Sequence, residues 1–197
     1  MNADYSSAIN QALELITRKL SPDILYHNKD HTLYVLSVVT ELAKKEGISQ
    51  ENIFLLQTGA AYHDTGYIYQ SKGHELKSIE IAQISLPDFG FNTNQIDIIS
   101  NNILATQIPQ NPKNILEKIT CDADLYHLGS RDFFLKNEIL RKELRLQGIN
   151  FTPRQWMEEN ISFFEKTHYF TKTAIEIRQP KKEENLRLIK ELIGIEG

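Results

Sequence analysis

Apolar residues recur every three or four positions along nearly the whole chain, and this period constrains the fold more than any other feature. The first apolar stripe consists of Ile9, Leu13, Ile16 and Leu20. Such spacing is typical of a helix that buries one face. No long stretch alternates between apolar and polar residues, so a β-sheet has little support. The pattern predicts an all-α protein.

Proline and glycine divide this periodic pattern into nine predicted helices. The first ends near Leu20, before Pro22; the others span about 30–45, 49–61, 74–86, 93–106, 112–127, 130–147, 153–165 and 171–193. The third is apolar on most faces, which predicts that it lies at the centre of the bundle. The polar stretch 65–73 is predicted to be a loop. No repeat or linker marks a boundary, so we expect one domain over residues 1–197, folded as an irregular helical bundle.

Charge and cysteine content narrow the classes of partner. The net charge is −4, whereas a nucleic-acid-binding face is normally basic. The only cysteine, Cys121, cannot form an internal disulfide, which favours a reducing compartment. Charged residues interrupt the first 20 positions, so no signal peptide or membrane span is expected there. We therefore expect a cytoplasmic protein that binds neither nucleic acid nor membrane; a homodimer is compatible with the sequence.

Three short clusters of histidine and aspartate lie at predicted helix ends. Helices packed in a bundle can bring such ends to one point. Imidazole nitrogens and carboxylate oxygens without a thiolate suit a divalent metal that keeps positions open for water. Such a metal can activate water and polarise a phosphoryl oxygen, which favours hydrolysis. The cluster members are His27 and His31, His63 and Asp64, and Asp122 and Asp124.

Each cluster taken alone has a simpler interpretation. A histidine or aspartate at a helix end is commonly a cap, a turn residue or a solvated surface group. The apolar run 55–62 argues against this for Asp64, because the carboxylate that follows it should be buried. A buried carboxylate without a partner is costly, and a metal ion supplies the partner.

Separated segments between about residues 26 and 129 carry these residues in a fixed order. They read Tyr26-His27-Asn28-x-x-His31, Ala60-Ala61-Tyr62-His63-Asp64-Thr65-Gly66-Tyr67, His74-Glu75-x-x-Ser78, Asp122-Ala123-Asp124-Leu125 and Leu128-Gly129. This order resembles the H…HD…D signature of the HD superfamily. The resemblance implies an all-α fold and hydrolysis of phosphomonoesters or phosphodiesters at a divalent metal. The helices of about 130–197 carry no motif that we can assign.

The resemblance also implies individual roles. The implied metal ligands are His31, His63, Asp64 and Asp124, because the family's last ligand lies in an Ala-Asp-Leu-like step. Asp122 then lies at the helix end, where Asp122 or Asp64 orients the attacking water. The first segment is similar to that of class I cyclic-nucleotide phosphodiesterases, where the earlier histidine protonates the leaving oxygen. His27 is thus a candidate general acid, its alternative being a helix cap.

Binuclear members of the superfamily place two extra histidines between the HD dipeptide and the last aspartate. Only His74 falls in that interval, so we expect a single divalent ion, which could be Mn, Co, Ni, Fe, Mg or Zn. His74 and Glu75 are candidates for proton transfer or phosphate contact, or they simply begin the next helix. Lys72 and Arg131 are candidate phosphate anchors by position alone, although most such cations are merely solvated.

Taken together, these residues predict a metal-dependent phosphohydrolase that acts on a small phosphorylated metabolite, with a nucleotide favoured. A cyclic-nucleotide or other phosphodiesterase is the alternative within enzymes. A non-catalytic nucleotide-sensing module is the alternative outside them, and the intact ligand set argues against it. Aromatic residues of the C-terminal helices are expected in the core, although they could also stack on a base; they are Trp156, Phe163, Phe164, Tyr169 and Phe170.

Overall fold

The computed structural model describes residues 3–194. Within them every regular element of secondary structure is a helix, which confirms the predicted all-α fold. Three short 3-10 turns lie between helices, at Thr65–Ile68, Leu86–Phe89 and Tyr126–Gly129. The α-helices of this part of the chain are α1 Tyr5–Lys19, α2 Lys29–Lys45, α3 Gln50–Tyr62, α4 His74–Ser85, α5 Thr93–Ala105, α6 Ile115–Asp124, α7 Phe133–Leu146, α8 Pro153–Lys166 and α9 Lys172–Leu192.

Side-chain caps set the starts of several helices. Ser49 accepts a hydrogen bond from the backbone N–H of Asn52 and begins α3, close to the predicted position. The helix predicted over 112–127 is shorter than expected. Asn114 caps α6 by accepting from the N–H groups of Leu116 and Glu117, and the helix ends at Asp124. A separate 3-10 turn follows, so Asp124 lies at a true helix end.

The predicted central position of α3 is confirmed by the two apolar clusters that it joins. Leu56 and Ala60 pack with α2 and α6, whereas Leu55 and Tyr62 pack with α1, α4 and α5. All four side chains are buried. Burial on both sides explains why the sequence of α3 is apolar on most faces. The C-terminal end of this helix is consequently held rigidly from several directions.

The C-terminal helices form a third apolar cluster beside the other two. Leu128 of the 3-10 turn packs with Phe133 of α7, Phe164 of α8 and Ile189 of α9. Helix α7 contacts the chain segment that precedes α2 through Glu143, which accepts hydrogen bonds from Tyr26 and His27. Among residues 3–194, no helix combines the length and apolar character needed to cross a membrane.

Candidate metal centre

Three helix ends converge near the middle of the molecule. Asn28 caps α2 by accepting from the N–H groups of Asp30 and His31, which fixes His31 in the first turn. His63 and Asp64 directly follow α3, and Asp124 is the last residue of α6. The two apolar clusters hold these helices together.

The four side chains from these ends face one another. His31 Nε2 lies 3.4 Å from Asp64 Oδ2 and 3.3 Å from Asp124 Oδ1. His63 Nε2 lies 3.1 Å and 3.6 Å from the same two oxygens, and 3.4 Å from His31 Nε2. Donor atoms of His31, His63 and Asp124 form a group compact enough to hold one metal ion. Asp64 Oδ2 lies beside this group, against both imidazole nitrogens.

A backbone contact fixes the orientation of His63. The carbonyl oxygen of Ala60 lies 2.7 Å from His63 Nδ1 and can only accept, so this nitrogen carries the proton. The Nε2 atom then faces the cluster, where it can bind a metal ion. Such a hydrogen bond on the far nitrogen is the usual support of a metal-binding histidine.

The chemistry of the donor set fits a divalent cation. Asp64 is 2% exposed, and its Oδ2 atom faces the imidazole nitrogens of His31 and His63. Burial alone would raise the pKa of Asp64, but the charge of His63 and hydrogen bonds from His63 and His74 hold it well below its usual value. Burial likewise raises the pKa of Asp124, and hydrogen bonds from His31 and His63 outweigh that effect. Two ionised, buried carboxylates need positive charge between them.

His27 lies beside this cluster and outside helix α2, which begins at Lys29. The ring centroids of His27 and His31 are nevertheless only 5.8 Å apart. Glu143 Oε1 accepts from His27 Nδ1 at 2.6 Å. The other ring nitrogen lies 3.2 Å from the hydroxyl oxygen of Tyr67, whose ring stacks on that of His27.

His74 and Glu75 begin α4 at the edge of the same cluster. The Nδ1 atom of His74 donates to the carbonyl of Ser71 at 2.9 Å, and its Nε2 lies 3.3 Å from Asp64 Oδ1. The Asp64 carboxylate therefore faces His31 and His63 with one oxygen and His74 with the other. Glu75 is buried, and its Oε2 atom lacks a hydrogen-bond partner among the described residues.

Comparison with known protein families identifies the family of this chain. The HD domain family matches residues 29–129, which is half of the chain and includes all four converging side chains. The chain belongs to the HD domain family. The resemblance of the sequence motifs to this superfamily is thereby confirmed. Family membership and the donor cluster together support a metal-dependent hydrolase in general terms. Comparison with curated proteins gives no match.

Solved structures share the fold of this HD protein along most of its length. A Lactobacillus plantarum protein has a TM-score of 0.70 at 14% identity, covering 96% of both chains. Bacillus subtilis YpgQ in complex with ADP has a TM-score of 0.63 at 16% identity, covering 93% of this chain and 95% of its own. A predicted HD superfamily hydrolase from an uncultured Thermotogales bacterium has a TM-score of 0.62 at 17% identity, covering 95% and 90%.

Asp122 does not join the metal centre of this HD domain. Its two oxygens accept from the backbone N–H groups of Phe170 and Thr171 at 2.8 Å, and from the Thr171 hydroxyl at 2.6 Å. Asp122 thus binds the start of α9, and the expectation that it orients the attacking water is not supported. The side chain lies two residues from Asp124, and on a helix that spacing points the two carboxylates in different directions.

Lys72 and Arg131 are also separated from the cluster. Both are exposed, Lys72 in the turn before α4 and Arg131 ahead of α7. Within residues 3–194, no hydrogen bond or ion pair joins either side chain to the four converging residues. The prediction that Lys72 and Arg131 contact phosphate therefore rests on their position in the sequence alone.

Glu143 was not identified from the sequence, although the structure makes it the partner of His27. It is 1% exposed, and its Oε2 accepts from the backbone N–H groups of Tyr26 and His27. A signal was present: Glu143 lies three residues after Leu140 and next to Leu144 on the apolar stripe of α7. A carboxylate on a buried stripe needs a specific partner. The sequence around Glu143 does not indicate that this partner is His27.

Proposed function

We propose that this HD protein is a divalent-metal-dependent phosphohydrolase that releases phosphate from a nucleotide. One observation carries the proposal: nitrogen atoms of His31 and His63 lie 3.1–3.6 Å from oxygen atoms of Asp64 and Asp124 in a buried cluster. The ADP bound to the similar B. subtilis protein YpgQ supports a nucleotide as the substrate. A nucleotide substrate is more specific than the general hydrolase activity that the family supports.

The four converging residues would hold the metal. When bound, a divalent ion lowers the pKa of water and polarises a phosphoryl oxygen. His63 enters this role already oriented by Ala60, and Asp64 is oriented by His74. The helix ends need little rearrangement to bind the ion, because the packed cores already hold them together.

His27 is the proposed general acid. It lies beside the metal ligands without being one of the converging four, as a proton donor to the leaving oxygen must. Glu143 holds its Nδ1–H, so the Nε2 atom is the one that exchanges a proton with substrate. Tyr67 stacks on the imidazole with ring centroids 4.1 Å apart and restricts access of water to it.

His74 and Glu75 are proposed to act from the opposite edge. His74 keeps the Asp64 carboxylate in place, and its ring centroid lies 4.2 Å from that of Tyr67, with the two rings tilted by 34°. The unpartnered Oε2 atom of Glu75 is free to accept a proton or a hydrogen bond from water near the phosphate. Both roles require that the substrate phosphate lies over the Tyr67 side of the cluster.

A phosphodiesterase is the second candidate function, and the position of His27 favours it. An alkoxide is a poor leaving group. Cleavage of a phosphoester bond therefore gains most from a dedicated proton donor. The same site would then cleave one of two phosphoester bonds, in a cyclic nucleotide or a linear diester.

A metal analysis followed by a phosphate-release screen tests these functions. Elemental analysis of the purified protein should find about one divalent metal per chain, and chelation should abolish activity reversibly. We expect Mn²⁺, Co²⁺ or Ni²⁺ to restore it, because the donors are all nitrogen and oxygen. The screen should include nucleoside mono-, di- and triphosphates, cyclic nucleotides and linear diesters.

The outcomes of the screen separate the candidates. Phosphate released from nucleotides supports the phosphohydrolase. Hydrolysis confined to cyclic nucleotides or diesters selects the phosphodiesterase. Metal-loaded protein that binds nucleotides and hydrolyses none of them is a sensor, and that result contradicts the proposal.

A further inference from the structure

A largely apolar cavity of about 260 Å³ lies between α7, α8 and the 3-10 turn Tyr126–Gly129. Its aromatic lining includes Phe133 and Phe151, with Trp156 and Phe163 from α8. None of these side chains belongs to the metal centre. Apolar cavities flanked by a few polar groups are the usual form of a small-molecule binding site.

Two residues separate this cavity from the metal centre. Tyr26 lines the cavity, and its ring centroid lies 5.0 Å from that of His31. His127 also lines the cavity, and its Nδ1 atom lies 3.2 Å from the carbonyl oxygen of Asp124. The cavity therefore begins one side chain away from two of the proposed ligands.

A second cavity adjoins the first and is lined in part by the proposed ligand His31. This cavity of about 320 Å³ shares Tyr26 and Lys136 with the aromatic cavity. The two cavities therefore meet at these two side chains. The hydroxyl of Tyr26 is buried and has no hydrogen-bond partner among the described residues. That hydroxyl leaves one polar contact for a ligand to satisfy.

A fixed chain of amides forms the polar part of the aromatic cavity. Trp156 Nε1 donates to Asn137 Oδ1 at 2.7 Å, and Asn137 Nδ2 donates to Asn160 Oδ1. Asn160 in turn donates to the carbonyl of Trp156 at 2.6 Å. Each amide keeps one N–H without a partner in this chain, so both can still bind the edge of a planar heterocycle.

We propose that the aromatic cavity binds the base of the nucleotide substrate, beside Trp156 and Phe163. This inference rests on the proposed function, which places the substrate phosphate at the metal centre. The cavity volume is slightly below the roughly 300–1,000 Å³ that holds an entire small-molecule ligand. It therefore suits one ring system, with the sugar passing Tyr26 and Lys136 toward His31.

Trp156 is the only tryptophan of the chain and reports directly on this cavity. Adenosine offers a base without a phosphate, whereas ribose 5-phosphate offers a phosphate without a base. Titration of the full-length protein with adenosine should change Trp156 fluorescence in a saturable way, and ribose 5-phosphate should not. No response to adenosine, or an equal response to both compounds, overturns the proposal.

A variant that fills the cavity gives a second, independent measurement. Leu140→Phe enlarges a side chain that lines the cavity and should raise KM for a nucleotide about tenfold, the size expected when one stacked base is displaced. Leu135→Phe is the matched control, because Leu135 lies on the same helix and is 67% exposed. The Leu135→Phe control should leave both KM for the nucleotide and the hydrolysis of p-nitrophenyl phosphate unchanged.

The two measurements distinguish failure of this inference from failure of the proposed function. An adenosine response without hydrolysis of any phosphoester retains the base site and rejects the enzyme. Hydrolysis of nucleotides with unchanged KM in Leu140→Phe and no adenosine response retains the enzyme and rejects the base site. Should Leu140→Phe not fold, the fluorescence titration of the unaltered protein decides alone.

Discussion

Glu143 Oε1 lies 2.6 Å from His27 Nδ1, although the two residues are 116 positions apart in the chain. The same carboxylate accepts from the backbone N–H groups of Tyr26 and His27. Helix α7 thereby fixes the segment that leads into helix α2. Both His27 and Glu143 lie outside the matched HD segment, residues 29–129.

Replacement of the proposed acid should separate it from the ligands. His27→Ala should keep the metal and lower kcat for a nucleotide about 10²–10⁴-fold, the usual contribution of a general acid. The loss should be much smaller for p-nitrophenyl phosphate or its diester, because nitrophenolate leaves with little need of a proton. Steady-state kinetics and elemental analysis measure both effects. Loss of metal, or an equal loss for both substrates, would remove His27 from the role of general acid and place it among the metal ligands or the residues that support them.

Glu143→Gln tests whether that carboxylate positions the acid. We expect kcat for a nucleotide to fall about tenfold with little change in KM, and p-nitrophenyl substrates to be less affected. Glu138→Gln is the control, since Glu138 is an exposed residue of the same helix. If Glu143 served only to hold the fold together, thermal stability would fall while the two substrates lost activity in equal proportion.

Asp64→Ala should remove both metal and activity. The residue follows the end of α3, so far-UV circular dichroism should change little. Elemental analysis should find metal in the Asp97→Ala control, because Asp97 is exposed on α5. Full metal occupancy in Asp64→Ala would rule the residue out as a principal ligand.

Asp122 should matter for stability and not for the metal. Asp122→Ala removes the acceptor of the Phe170 and Thr171 N–H groups and of the Thr171 hydroxyl. Urea denaturation should show a loss of about 1–3 kcal/mol in the free energy of unfolding. Metal content of the folded protein should stay unchanged, whereas Asp124→Ala should lose the metal. A stable Asp122→Ala protein without metal would reverse the assignment of the two aspartates.

Lys182 should make stability rise with pH. It is 4% exposed, donates to the carbonyl of Thr167, and burial lowers its pKa to about 8 against a weaker opposing effect of Glu183. Between pH 8 and 10.5 the unfolded chain binds the extra proton, so the free energy of unfolding increases with pH. Relative to Lys182→Met, the gain should be about 2 kcal/mol from pH 8 to 10. If urea denaturation shows that the free energy of unfolding changes equally with pH in the two proteins over this range, the effect is contradicted.

The sequence by itself predicted the helices closely, because a helix depends on neighbours three and four residues away. Apolar spacing located all nine helices in residues 3–194, and the main errors were at ends such as that of α6, where the Asn114 cap decided the start. The order His31, His63-Asp64, Asp124 was likewise visible in the sequence. This order of residues indicated the HD domain family from the sequence alone.

Tertiary structure decided which side chains actually meet. Asp122 and Asp124 have similar sequence neighbours, and only the packing of α9 showed that Asp122 binds the residues that begin that helix. The contact of Glu143 with His27 and the cavity beside Trp156 arise from the way α7 and α8 pack on the segments that carry Tyr26 and His127. Such contacts join residues far apart in the chain. The period of a single sequence says which face of a helix is buried, but it does not say which other element covers that face.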